Sequence, residues 1–313
     1  MTAALLLLLL LPLLLPFAAP ALARRALDRL APVTALWMIT LFAVVLAGCS
    51  LAALGAFVLT GLLKLPLVAA LGELVHPLPT ASDLVVVPAA AISVGVLAVC
   101  AWTLGRAALR EFRAFRSAHT EAGRRPAAGD LCVVDSPHPD AYALPGRPHR
   151  IVVTTAMLRT LDAAEREALF AHERAHNRGG HHYFLAAAEL AAHCHPALRR
   201  VRGAIRLAAE RAADEAAAAA VGDRRLTARA IARAALAGQD ARSVRPEFAP
   251  AATSGPVPHR VKALLAAPHV TRRAATRIAA LLMACAAVSF AASATGMIDF
   301  HHRVEVAQGD TSR

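Results

Sequence analysis

Asp162-Ala163-Ala164-Glu165-Arg166-Glu167-Ala168-Leu169-Phe170-Ala171-His172-Glu173-Arg174-Ala175-His176-Asn177 is the stretch on which the reading of this chain turns. Asp162, with Glu165 three residues on, has the form of a capping box, and Gly179-Gly180 ends the helix just past Asn177. Inside that helix His172 and His176 stand four residues apart. Both imidazoles therefore fall on one face, at the separation a single metal ion needs. Glu173 projects beside them, where it accepts a proton from a water whose pKa zinc has lowered to about 7. The apolar run Ala168-Leu169-Phe170-Ala171 argues that the helix is buried, as a dry site requires.

Zinc needs a third protein ligand, and two positions qualify. Glu210 lies in Glu210-Arg211-Ala212-Ala213-Asp214 on a later helix. Asp214, four residues on, shares its face and is placed to hydrogen-bond a ligating imidazole. The alternative is His182, which with Gly179 completes His-Glu-x-x-His-x-x-Gly-x-x-His, the metzincin signature. Metzincins place a methionine turn below the metal, whereas Met283 and Met297, the methionines after Met157, both sit in a late apolar run. Glu210 is the expected ligand. The remaining histidines read as structural: His193 and His195 are two apart and diverge on a helix, and His138, His149, His259 and His269 sit beside prolines.

The rest of the chain is strongly apolar. Of 313 residues 57% are hydrophobic and the mean hydropathy is +0.48, against roughly 45–50% in soluble domains. Four uncharged stretches, Thr2–Ala23, Ala31–Leu63, Leu84–Gly105 and Ile278–Ile298, reach the roughly 20 residues a bilayer core requires. Ala21-Leu22-Ala23 resembles a signal-peptidase site, but no positive charge precedes the leucine run, so the first stretch reads as a span. Arg24, Arg25 and Arg29 follow it, Arg106, Arg110, Arg113 and Arg116 follow the third, and Arg272, Arg273 and Arg277 precede the fourth. The loop before the third stretch carries only Lys64 against Glu73 and Asp83. One assignment satisfies all of this: both termini outside and the arginines in the cytoplasm. Residues 1–105 then hold three spans, 106–274 form a cytoplasmic domain, 275–298 the fourth span, and 299–313 a short external tail.

The formal net charge of +12 is almost all arginine and suits a membrane surface. No basic patch interleaved with aromatics appears, so lipids and a protein substrate are the expected partners and direct nucleic-acid binding is not. Cys49, Cys100, Cys132, Cys194 and Cys285 show no paired spacing, which excludes a disulfide framework or a thiolate metal site. Within the domain a basic helix, Arg106–His119, leads to a Gly/Pro/Arg-rich linker at Glu121–Asp130. Strand-like runs follow at Leu131–Asp135, Ala141–Leu144 and Arg150–Thr155. Helices are predicted at His181–His193, Leu198–Val221 and Leu226–Ala237.

These motifs together resemble the BlaR/MecR-type antirepressor metallopeptidases and, more distantly, the HtpX/CAAX-protease group. The resemblance rests on Asp140-Ala141-Tyr142-Ala143-Leu144-Pro145-Gly146, Ile151-Val152-Val153-Thr154-Thr155, the His172 helix, His181-His182, His195-Pro196 and Glu210 with Asp214. It implies a mainly α membrane protein, four transmembrane helices with a cytoplasmic gluzincin-type zinc metallopeptidase domain of helices and a small β-sheet. It implies one zinc per chain on His172, His176 and Glu210, with Glu173 as base and Asp214 supporting a ligand. Ala141, Tyr142, Ala143 and Leu144 would form an edge strand that pairs with an extended substrate. The substrate such a resemblance suggests is a winged-helix repressor. A housekeeping protease for membrane proteins and a non-catalytic receptor are the competing expectations. The large external sensor domain of that family has no counterpart after the fourth span, where 15 residues follow.

Overall fold

The computed structural model describes residues 10–65, 83–124, 127–146, 148–238, 256–266 and 272–307. Helices dominate, and four of them are long and apolar enough to cross a membrane: α1 (Leu10–Arg29), α2 (Pro32–Leu62), α3 (Asp83–Gly123) and α10 (Arg272–Ala307). Pro12, Pro16 and Pro20 recur every fourth residue in α1 and remove donors from its ladder, and Leu15–Ala18 is wound as a tighter 3-10 turn. The helix runs on to Arg29, so Arg24, Arg25 and Arg29 are helical residues rather than a loop after the span. Residues 2–9 of the expected first span, and most of the Lys64–Asp83 loop, lie outside the described residues.

Two expected boundaries fall inside single helices. The third span and the basic helix behind it are one 41-residue helix, α3, with no break at Gly105. Nothing in Arg106–His119 stops a helix, because arginine and alanine are strong helix formers. The helix ends at Gly123, inside the stretch read as linker. At the other end α10 continues through Asp299 to Ala307, into the stretch read as a tail.

Between α3 and α10 lies a small sheet with a set of short helices. The strands are β1 (Ala127–Ala128), β2 (Leu131–Val134), β3 (Ala141–Leu144) and β4 (Arg150–Thr154), in the order β1-β2-β4-β3. β2 and β4 are parallel and β3 is antiparallel to β4, with Ala141 opposite Val153 and Leu144 opposite Arg150. β3 is therefore an edge strand. Helices α4 (Thr155–Thr160), α5 (Ala163–Arg178), α6 (His181–Cys194), α7 (Arg199–Val221), α8 (Arg224–Ala237) and α9 (Val257–Leu265) follow.

The capping box that opens α5 is complete. Asp162 Oδ1 accepts from the Glu165 N–H at 2.9 Å, and the Glu165 carboxylate accepts from the Asp162 N–H at 3.0 Å. Glu165 also draws in Arg229 and Arg233 of α8, at 2.9 and 2.6 Å, so the residue that starts the helix also pins a neighbour to it. Gly180, at φ +60°, turns the chain from α5 into α6, and Gly222, at φ +73°, ends α7; both lie in the left-handed region that glycine enters without a Cβ penalty.

The hairpin of α6 and α7 packs among the long helices. Ala188, Ala191, Cys194, Leu198, Val201 and Ile205 share one buried core with Leu36, Ile39 and Leu46 of α2 and Leu282 of α10. Its tip is tied by polar contacts. His195 Nε2 donates to the Leu13 carbonyl at 3.1 Å while its Nδ1 accepts from Ala197 N–H, and His193 Nδ1 lies 3.1 Å from Thr103 Oγ1. These two histidines thus serve packing. The domain read from sequence as 106–274 shares its main core with the long helices.

Candidate metal centre

α5 and α7 lie side by side and bring the chemistry-bearing residues together from their facing sides. His172 and His176, one turn apart on α5, have their Nε2 atoms 3.0 Å from each other. Glu210 Oε2 of α7 stands 3.5 Å from His172 Nε2 and 3.8 Å from His176 Nε2. Among the described residues this trio is the group of ligand atoms that lie within 4.8 Å of one another and could hold a metal. Zinc bonds of about 2.0–2.2 Å in a tetrahedral site put ligand atoms roughly 3.3–3.6 Å apart, and the three separations bracket that range.

Each imidazole is aimed by a partner on its other nitrogen. Asp214 Oδ1, one turn on from Glu210, lies 3.0 Å from His172 Nδ1. His181, the first residue of α6, places its Nδ1 2.7 Å from His176 Nδ1. Such partners orient each ring, so that Nε2 is the nitrogen turned toward Glu210 and toward an ion held there. His172, Glu173, His176, Glu210 and Asp214 are all 0–2% exposed. His182 lies outside the group, half-buried, with its ring against Tyr183.

Arg260 closes the back of the site. Its guanidinium, itself fully buried, forks onto Asp214 through Nε at 2.9 Å and Nη2 at 2.7 Å, and its Nη1 sits 3.1 Å from Glu210. Formally the pocket holds three carboxylates, Glu173, Glu210 and Asp214, against this one fixed cation. With neutral imidazoles the balance is −2, which a divalent ion cancels; buried charge without a counterion is costly. Two imidazoles and a carboxylate are also a donor set that suits zinc. The residues present fit such an ion.

The electrostatics agree. Burial opposes ionisation of Glu210, yet Arg260 and the two histidines hold its carboxyl well below the usual range. Burial likewise opposes charge on His172, but the Asp214 and Glu210 carboxylates outweigh it and push the imidazole up to about 9. His176 moves the other way, down, because burial dominates there. His181 is driven further, to about 3, by burial and then by the neighbouring His176. A neutral His181 is free to hydrogen-bond His176.

Two residues of this site were not assigned a role from sequence. His181 was visible only as part of the pair His181-His182. Arg260 carried no local signal: it is one of 34 lysines and arginines, on a nine-residue helix behind a Pro/Gly-rich run. The available hint was indirect, since two acids sharing a buried helix face need a cation from elsewhere.

β3 lies over α5. Ala141 packs in one cluster with Leu169, two residues before Ala171 and the His172 motif, and with Val153 and Met157. Ala143 and Leu144 are also buried, and Tyr142 is half-buried. The four residues named from sequence are thus an edge strand beside the helix that carries the histidines.

Residues 113–276, just over half of the chain, match the model of Peptidase family M48. No curated protein and no solved structure matches.

Proposed function

The chain belongs to Peptidase family M48, and from that premise we propose that it is a membrane-bound zinc metalloendopeptidase that hydrolyses a cytoplasmic protein. The observation that carries the reading is the buried convergence of His172, His176 and Glu210, with a carboxylate, Glu173, between the two histidines in sequence. When bound, zinc supplies Lewis acidity to a carbonyl and acidity to a water. His172, His176 and Glu210 would hold it, with Asp214 and His181 orienting the rings.

Glu173 is the residue for moving the proton: it takes one from the attacking water and delivers it to the departing amine. Its charge is balanced in part by Arg260, whose guanidinium acts on it through space. β3 stands at the edge of the sheet, the place where an extended substrate strand would add by main-chain hydrogen bonds. All five central side chains are sealed from solvent, so a peptide reaches them only after part of the wall moves. The arginine clusters that follow the first and third apolar runs and precede the fourth support a cytoplasmic site. The motifs shared with antirepressor peptidases support a winged-helix repressor as the substrate.

The test is cleavage of a protein substrate by the full chain reconstituted in nanodiscs with zinc. Cleavage that stops with a chelator and with Glu173→Ala supports the reading; cleavage that survives Glu173→Ala overturns it. A repressor cut at one site favours the regulatory role, whereas general cutting of unfolded membrane proteins favours housekeeping.

A further inference from the structure

The metal centre does not use a second group of charges, where α1 meets α10. A cavity of about 250 Å³ opens there, lined by Arg25, Asp28, Arg29, Arg277, Ile278 and Leu281. Arg25, Asp28, Arg29 and Arg277 are all exposed. None of the three arginines makes an ion pair among the described residues, and Asp28 offsets only one of their charges. Arg25 and Arg29 stand four apart on one helix, a spacing at which like charges repel. Three guanidiniums facing one small cavity with a single carboxylate, Asp28, in its lining suit a ligand that brings negative charge of its own.

The apolar part of the lining says what else that ligand carries. Ile278 and Leu281 follow Arg277 directly on α10, where the long apolar run begins. Leu281 is 42% exposed and Val288, seven residues on and so on the same face, is 50% exposed. The site is therefore cationic at one end with an apolar track leading away from it along a helix fit to cross a membrane. Guanidinium groups pair with phosphate oxygens in a bidentate geometry that ammonium groups do not match.

We propose that the Arg25, Arg29 and Arg277 cavity binds the phosphate headgroup of an anionic phospholipid, whose acyl chain lies along Leu281 and Val288. Such a lipid would bridge the first and last long helices, which meet here. The proposal needs those helices to lie in a membrane; it does not depend on peptidase activity.

The full chain, purified in neutral detergent and stripped of lipid, is titrated with phosphatidylglycerol and, separately, phosphatidylcholine, and retained lipid is read by native mass spectrometry. Phosphatidylglycerol is expected to be held more tightly than phosphatidylcholine. The double variant Arg29→Gln/Arg277→Gln should lose roughly 30-fold in its retention, the scale of two cations facing a phosphate. Arg272→Gln/Arg273→Gln, which removes the same charge outside the cavity, should leave it unchanged. All these side chains are exposed, and a single peak at the elution volume of the wild type on gel filtration checks that each variant is folded. Equal loss in both double variants would mean a general surface potential and overturn the site. Equal retention of the two lipids would overturn it as well. Inorganic phosphate that blocks the cavity while the lipid shows no preference would mark a free-anion site instead, and the acyl-chain assignment would fall.

Discussion

Replacing Arg260 with methionine removes the one fixed cation of the metal site while keeping a side chain of similar length. Arg260 makes three contacts of 2.7–3.1 Å with Asp214 and Glu210, and all three residues are buried. Removing one partner of a buried ion pair costs about 3–5 kcal/mol, because the remaining charge has neither water nor a counterion. Here two carboxylates are left, so the metal-free variant belongs at the upper part of that range. At roughly 2–4 °C per kcal/mol for a chain of this order of size, the metal-free protein should melt on the order of 10–20 °C lower. Zinc changes the outcome: a dication between His172, His176 and Glu210 offsets much of the same negative charge. Zinc should therefore stabilise Arg260→Met more than it stabilises the wild type. The assay is thermal unfolding of the detergent-solubilised chain, with chelator and with zinc, for both proteins. Equal zinc stabilisation in the two, or a metal-free variant that melts with the wild type, would refute the charge balance drawn for this site.

Three further outcomes follow from the same geometry. Glu173→Ala should keep its metal but lose hydrolysis by about 10²-fold or more, the contribution of a positioned proton carrier; peptide turnover at unchanged zinc content checks this. His181→Ala should weaken zinc binding by roughly 10–100-fold, as loss of a ligand's supporting partner does, and His181→Asp should recover most of it, read by competition with a chelating dye. An unchanged affinity in His181→Ala would remove that residue from the site. Zinc binding should also release a proton. Metal-free His172 titrates at about 9, so at pH 7 it carries a proton that a metal must expel; affinity then rises with pH until about 9 and levels off. Calorimetry in buffers of different ionisation enthalpy should find about one proton released per zinc near pH 7 and none well above pH 9.

What was legible in the sequence was what repeats locally. Spacing of four put His172 with His176 and Glu210 with Asp214 on common faces, and the structure gathers them. Capping and glycine signals placed the ends of α5, α6, α7 and α8 within about two residues. Alternation and Pro/Gly punctuation found β2, β3 and β4. The rest depended on partners far apart in the chain. Nothing near Arg260 announces that it meets Asp214, 46 residues away. Nor does His195 announce Leu13, 182 residues away. The fusion of the third span with Arg106–His119 went unread because a change from apolar to basic composition looks like a boundary, whereas helix propensity is indifferent to it. The shared core of the α6–α7 hairpin with α2 and α10 was hidden for a similar reason: alanine-rich faces pack against other helices as readily as within a separate domain.

The central claim is a zinc held by two histidines of one helix and a glutamate of the next. Metal content of the purified chain tests it most directly, in the wild type, Glu210→Ala and His182→Ala. The account predicts about one zinc per chain, lost in Glu210→Ala and kept in His182→Ala. Zinc that survives Glu210→Ala and disappears in His182→Ala would contradict it, and so would a wild type that binds none.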